Sequence, residues 1–84
     1  MEDIKEKTAD ELFEELEYEK QEIYYNSDID TVRYFRDNKY ASNVEFRYNG
    51  KMVVVYYGEN DRAGNISMSM LQAINKKCKE LGWI

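Results

Sequence analysis

A chain of 84 residues with a net charge of −5 has room for one modest core, and a cleft that encloses a large substrate would use up much of it. With no histidine and a single cysteine, Cys78, the chain cannot form an intramolecular disulfide or a cysteine–histidine metal cluster. It also lacks the usual base for a cysteine nucleophile. The charge is polarised: residues 1–30 hold twelve acids against Lys5, Lys7 and Lys20, net −9, and residues 31–84 hold nine bases against five acids, net +4. An acidic first segment of this kind either contacts the basic remainder or offers a surface to a basic partner.

Residues 1–7 are charged, which predicts a frayed start and no signal peptide. The longest apolar run, Met52–Tyr57, is far short of a membrane span, so the cytoplasm is the expected compartment and no membrane partner is expected. Thr8 followed by Glu11 fits a capping box, and Ala9, Leu12, Phe13 and Leu16 repeat at helical spacing. A helix over residues 9–17 follows. Its like charges at Asp10/Glu14 and Glu11/Glu15 each cost a few tenths of a kcal/mol in isolation, so its apolar stripe must dock to hold it.

Residues 22–25 predict a short first strand and residues 26–28 a turn. Residues 31–36 predict a second strand with Val32 and Tyr34 on one face, followed by a turn at 37–39. Asn49-Gly50 between two β-rich runs predicts a two-residue type I′ hairpin that pairs Tyr48 with Lys51, Phe46 with Val53 and Val44 with Val55. One face then carries Val44, Phe46, Val53, Val55 and Tyr57, the expected core. The other mixes Glu45 and Arg47 with Met52, Val54 and Tyr56, more apolar than plain solvation requires.

A polar loop is expected over 58–65. Ser67 then caps a final helix over 68–81 with Met70, Leu71, Ile74, Cys78 and Leu81 on its apolar stripe. Lys76, Lys77 and Lys79 sit at its negative end, Gly82 follows as the C′ residue, and Trp83 and Ile84 fold back. The order helix, about four strands, helix predicts a single α+β domain over residues 1–84. It is an antiparallel sheet of three to four strands with the N-terminal and C-terminal helices packed on one sheet face.

The segment from Ile66 to Trp83, ISMSMLQAINKKCKELGW, and the opening Asp10-Glu11-Leu12-Phe13-Glu14-Glu15-Leu16 followed by Tyr18 resemble the two ends of small proteins encoded by phages and prophages of Gram-positive bacteria. Those proteins usually carry Gly where this chain has Glu17, and often an acid where it has Met70. The resemblance covers about a third of the chain. It implies a phage or prophage origin, and so the host cytoplasm, but no activity and no catalytic residue.

Each chemical feature has a plain structural counterpart. Cys78 lies on a core stripe and is expected to be buried and inert. Asp28, Asp30 and the Glu59–Asp61 loop lack the pattern of a calcium site, so no metal or other cofactor is expected. Arg33, Arg36, Arg47 and Lys51 alternate with aromatics on strands, as in sheets that bind single-stranded nucleic acid, but the negative net charge and the absence of an RRM signature argue for cross-strand ion pairs instead.

The acids of the first helix, Glu14 and Glu15 among them, suit either solvation or an inhibitor that mimics phosphate charge on a host or defence protein. The outer apolar residues suit a partner site, a homodimer seam or a cover formed by the N-terminal segment. The expected function is therefore a non-enzymatic interaction module that binds a host or phage protein. Its candidate surface is Glu14, Glu15, Arg47, Met52, Val54 and Tyr56, and nucleic-acid binding is the alternative.

Overall fold

The first helix is set by its two ends. Thr8 Oγ1 accepts from the Glu11 N–H at 3.1 Å, and the Glu11 carboxylate accepts from the Thr8 N–H at 2.8 Å, the expected capping box. The computed structural model describes residues 7–36, 42–57 and 62–84, with backbone alone at 62–63. It ends α1 (Ala9–Glu15) short of Glu17.

Glu17 stands at φ +68°, the left-handed position that helices usually give to glycine. The N–H groups of Glu17 and Tyr18 return to the carbonyls of Glu14, at 2.9 Å, and Phe13, at 3.0 Å. This is a Schellman closure with a charged residue in the glycine site. Its apolar clasp is the Tyr18 ring, edge-on to Phe13 with centroids 5.8 Å apart.

Five antiparallel strands follow in sheet order β1-β2-β3-β4-β5: β1 (Glu19–Tyr25), β2 (Asp28–Phe35), β3 (Ser42–Arg47), β4 (Met52–Tyr57) and the two-residue β5 (Arg62–Ala63). The first two strands start earlier than their sequences predict. Glu19-Lys20-Gln21-Glu22 is polar on both faces, as an edge strand can be, and Asp28-Ile29-Asp30 continues the pairing beyond the apolar stretch. Asn26 (φ +52°) and Ser27 (φ +73°) form the connecting turn between paired Tyr25 and Asp28. β5 falls inside the segment expected to be loop. Residues 1–6 of the start expected to fray over 1–7, the expected turn at 37–39 and residues 58–61 of the expected 58–65 loop lie outside the described residues.

The β3–β4 register is the expected one, with Phe46 opposite Val53 and Val44 opposite Val55, but the turn is not type I′. Its left-handed residues are Gly50 (φ +91°) and Lys51 (φ +53°), not Asn49 and Gly50, and the strands stop at Arg47 and Met52. The Tyr48 N–H donates to the Asp30 carbonyl at 3.0 Å while its carbonyl accepts from Lys51 at 3.2 Å. Tyr48 is thus shared between the β2 pairing and the turn, and the connection widens.

Ser67 caps α2 (Met68–Glu80) by accepting from the Met70 N–H, and Gly82 (φ +74°) and Trp83 close it with a second Schellman pattern. The buried stripe is Met70, Ala73, Ile74, Lys77 and Cys78; the expected Leu71 is exposed. The helix is rolled so that Ala73 and Lys77 face inward. Ala9 and Ala73 are fully buried, as small residues are where two helices meet, and the Ala9 N–H donates to Glu80 at 2.8 Å. Lys77 lays its stem inside and its ammonium over the Tyr34 ring at 5.8 Å.

Both helices cover the sheet face of Val32, Tyr34, Val44, Phe46, Val53 and Val55, and their buried residues form one cluster with it. Phe13 stacks on Tyr34 at 3.9 Å, and Phe46 stands edge-on to both. Trp83 folds back onto Phe46 and Tyr48, whereas Ile84, expected to join it, is exposed.

Candidate functional site

Strand alternation sends every second residue to the face opposite the helices. Registers align these residues into rows across the sheet. Ile23, Thr31, Arg47 and Met52 form one row, and Gln21, Arg33, Glu45 and Val54 the next, with Tyr56 diagonal to Glu45 on the adjacent strand. Among the described residues no helix or loop covers this face. Met52 is 49% exposed and Val54 and Tyr56 are half-buried, as is Ile23.

The centre of the face is a buried acid. Glu45 is only 8% exposed although it lies on the uncovered side, because its neighbours lie across it. Arg47 reaches Glu45 Oε1 through Nε at 3.1 Å and Nη2 at 3.0 Å. Tyr56 donates its hydroxyl to Oε2 at 2.5 Å, and Arg33 Nε approaches Oε2 at 3.5 Å. Burial, then the bond to Glu45, push the Tyr56 phenol above its ordinary pKa, so the hydroxyl stays a donor. The cross-strand ion pair expected for Arg33 is therefore present, whereas Arg47 pairs with the same carboxylate from two residues along β3 rather than across strands.

Glu14 and Glu15 project from α1 on the other side of the sheet. Glu15 pairs with Lys7, and Glu14 is exposed at the rim of a shallow depression of about 390 Å³ lined by Asp10, Phe13, Tyr18, Lys20 and Tyr34. The structure thus brings Arg47, Met52, Val54 and Tyr56 together and leaves Glu14 and Glu15 apart from them.

The depression contains paired groups. Asp10 accepts from the Tyr34 hydroxyl at 2.5 Å and from Lys20 at 3.0 Å, and Lys20 also faces Glu22 at 3.6 Å. Asp10 and Lys20 both belong to the acidic first segment, so part of that segment's charge is neutralised internally. Arg36 lies over the Tyr18 ring at 5.4 Å. Cys78 is buried, and burial raises its thiol pKa, which keeps it a thiol. Among the described residues no group of three or more potential ligands is placed to hold a metal ion, and no helix is long and apolar enough to cross a membrane.

Sequence reasoning missed the role of Glu45 and the contribution of Ile23 and Arg33 to the same face. Register was the available signal: Arg33 falls opposite Glu45, and Arg47 is two residues along the same strand, once β2 and β3 are paired. The chain matches no protein-family model, no curated protein and no solved structure.

Proposed function

We propose that this chain is a small, non-enzymatic, phage- or prophage-encoded module that binds a host or phage protein through the helix-free face of its sheet. The supporting observation is the composition of that face. Met52, Val54, Tyr56 and Ile23 surround Arg33 and Arg47, and no lysine takes a strand position there. Tyr, Met and Arg are the residues enriched, and Lys the residue depleted, in the buried centres of protein interfaces. Such centres also favour rigid, partly buried anchors over mobile ones. The two arginines are partly neutralised by Glu45, which weakens the case for nucleic acid, where cations must face phosphates. The phage origin rests on the resemblance of the two chain ends.

The test compares two double variants in a pull-down from Gram-positive host lysate. Met52→Lys with Val54→Glu is expected to lose the captured protein, while Glu14→Lys with Glu15→Lys retains it. The reverse pattern would move the function to the acidic helix.

A further inference from the structure

The Glu45 carboxylate is largely engaged. Of its about four lone-pair positions, Nε and Nη2 of Arg47 and the Tyr56 hydroxyl take three, and Arg33 Nε lies within ion-pair range at 3.5 Å without a hydrogen bond. The guanidiniums are not full, since each carries more N–H donors than a shared carboxylate can accept. Arg33 Nε is shielded from solvent and has no hydrogen-bond partner among the described residues. Among the described residues the centre of the face therefore places two guanidiniums on one carboxylate, with donors in surplus over acceptors.

Water solvates the exposed parts of the two guanidinium side chains, 34% and 47% exposed, on a free face. A partner that covers the face removes the water, and unpaired guanidinium donors in a dry interface are costly. A second copy docked centre to centre does not supply what is missing, because it brings the same two guanidiniums on one carboxylate to that point. A partner with one acid at the matching point does supply it, with the planar fork of an arginine on the carboxylate.

On the reading that this face binds protein, we propose that its partner inserts an Asp or Glu carboxylate between Arg33 and Arg47, framed by apolar residues that pack on Ile23, Met52 and Val54. Glu45 and Tyr56 act as positioning residues that hold the guanidiniums in place for it.

The experiment selects a random-peptide library displayed on yeast against the full chain, then measures the enriched peptides by fluorescence anisotropy. Enriched sequences are expected to carry an acid among apolar residues, and the acid→amide change in the peptide weakens binding about tenfold or more. This change does not touch the fold of the chain. Arg47→Gln is expected to weaken the parent peptide but not the amide peptide, a coupling that a structural role alone does not produce.

Peptides without an acid that still lose binding to Met52→Lys would overturn the carboxylate and leave the sheet-face reading standing. Failure of any peptide to depend on Met52 would overturn both. Salt-dependent binding of a single-stranded oligonucleotide that Arg47→Gln abolishes would overturn the proposal in favour of phosphate. A dimer in gel filtration that Met52→Lys dissociates would overturn it in favour of a second copy.

Discussion

Tyr56 on β4 donates its hydroxyl to Glu45 on β3 at 2.5 Å, diagonally across the sheet, and so ties β4 to the centre of the uncovered face. The bond is directed at an ionised acceptor, where a hydrogen bond contributes more than between neutral groups. Tyr56→Phe is expected to cost about 1 kcal/mol, since the ring keeps its packing. Glu45→Ala is expected to cost about 2 kcal/mol, because it leaves the phenol and two guanidiniums without an acceptor. Urea midpoints check both, and a double variant no worse than Glu45→Ala alone is expected, because both changes remove one bond. Full additivity would mean that the two side chains act separately.

That network also marks the boundary of what the sequence made legible. Thr8 and Glu11, Ser67, Gly82 and the pairing of Phe46 with Val53 act within a few residues of one another, and each is found in place. The burial of Glu45 depends on Arg33, twelve residues earlier on another strand, and only the β2–β3 register brings the two together. The candidate surface is legible in part: both helices are expected on one sheet face and Met52 on the other, and that packing sets Glu14 and Met52 on opposite sides of the sheet. The roll of α2 that hides Ala73 and exposes Leu71 is set by the approach of Ala9, again a distant partner.

Glu17 is a place where the local rule is broken at a cost. A non-glycine residue in the left-handed region loses roughly 1 kcal/mol, and Glu17 is exposed and makes its closure through its backbone N–H. Glu17→Gly is expected to raise stability by about 0.5–1 kcal/mol, the steric relief being partly offset by the greater entropy of glycine in the unfolded chain. Thermal unfolding measures it. A destabilised variant would mean that the carboxylate itself holds the helix end.

Gly64 is constrained for a different reason, close approach. A Cβ built there would lie 2.6 Å from Ser42 Oγ and 2.9 Å from Val55 Cγ1. Ser42 cannot yield freely, since its hydroxyl donates to the Asn65 carbonyl at 2.9 Å, and the Gly64 N–H donates to the Val55 carbonyl at 3.2 Å. Gly64→Ala is expected to destabilise by about 1–3 kcal/mol through overpacking. Adding Ser42→Gly to it recovers part of the loss if the clash with Ser42 is the cause. Denaturant titration of the single and double variants decides, and an unrecovered loss would assign the strain to Val55.

Tyr34 and Asp10 give the fold a stability limit at each end of the pH scale. Tyr34 is 1% exposed, stacked on Phe13, with its hydroxyl on Asp10. Burial, and then the bond to Asp10, push the phenol far above its ordinary value of 10.0. A pKa raised by folding means that the stabilisation is complete below the unfolded value and lost as pH rises beyond it.

For Asp10, burial pushes the carboxyl up, but the Tyr34 hydrogen bond, the Lys20 hydrogen bond and the nearby ammonium charges outweigh it and hold the group below 3.8. A depressed pKa gives stability that is present above the unfolded value and lost as pH falls through the folded one. Urea midpoints are therefore expected to fall above about pH 10, with the Tyr34 ring signal in NMR showing ionisation only on unfolding, and to fall again below about pH 4. Tyr34→Phe is expected to cost about 1–2 kcal/mol at neutral pH and to flatten the alkaline limb. Asp10→Asn flattens the acid limb by a smaller amount, because Asp10 is half exposed and solvent screens its pairing with Lys20. Tyr34 titrating freely in the folded protein would show that its hydroxyl is not held on Asp10.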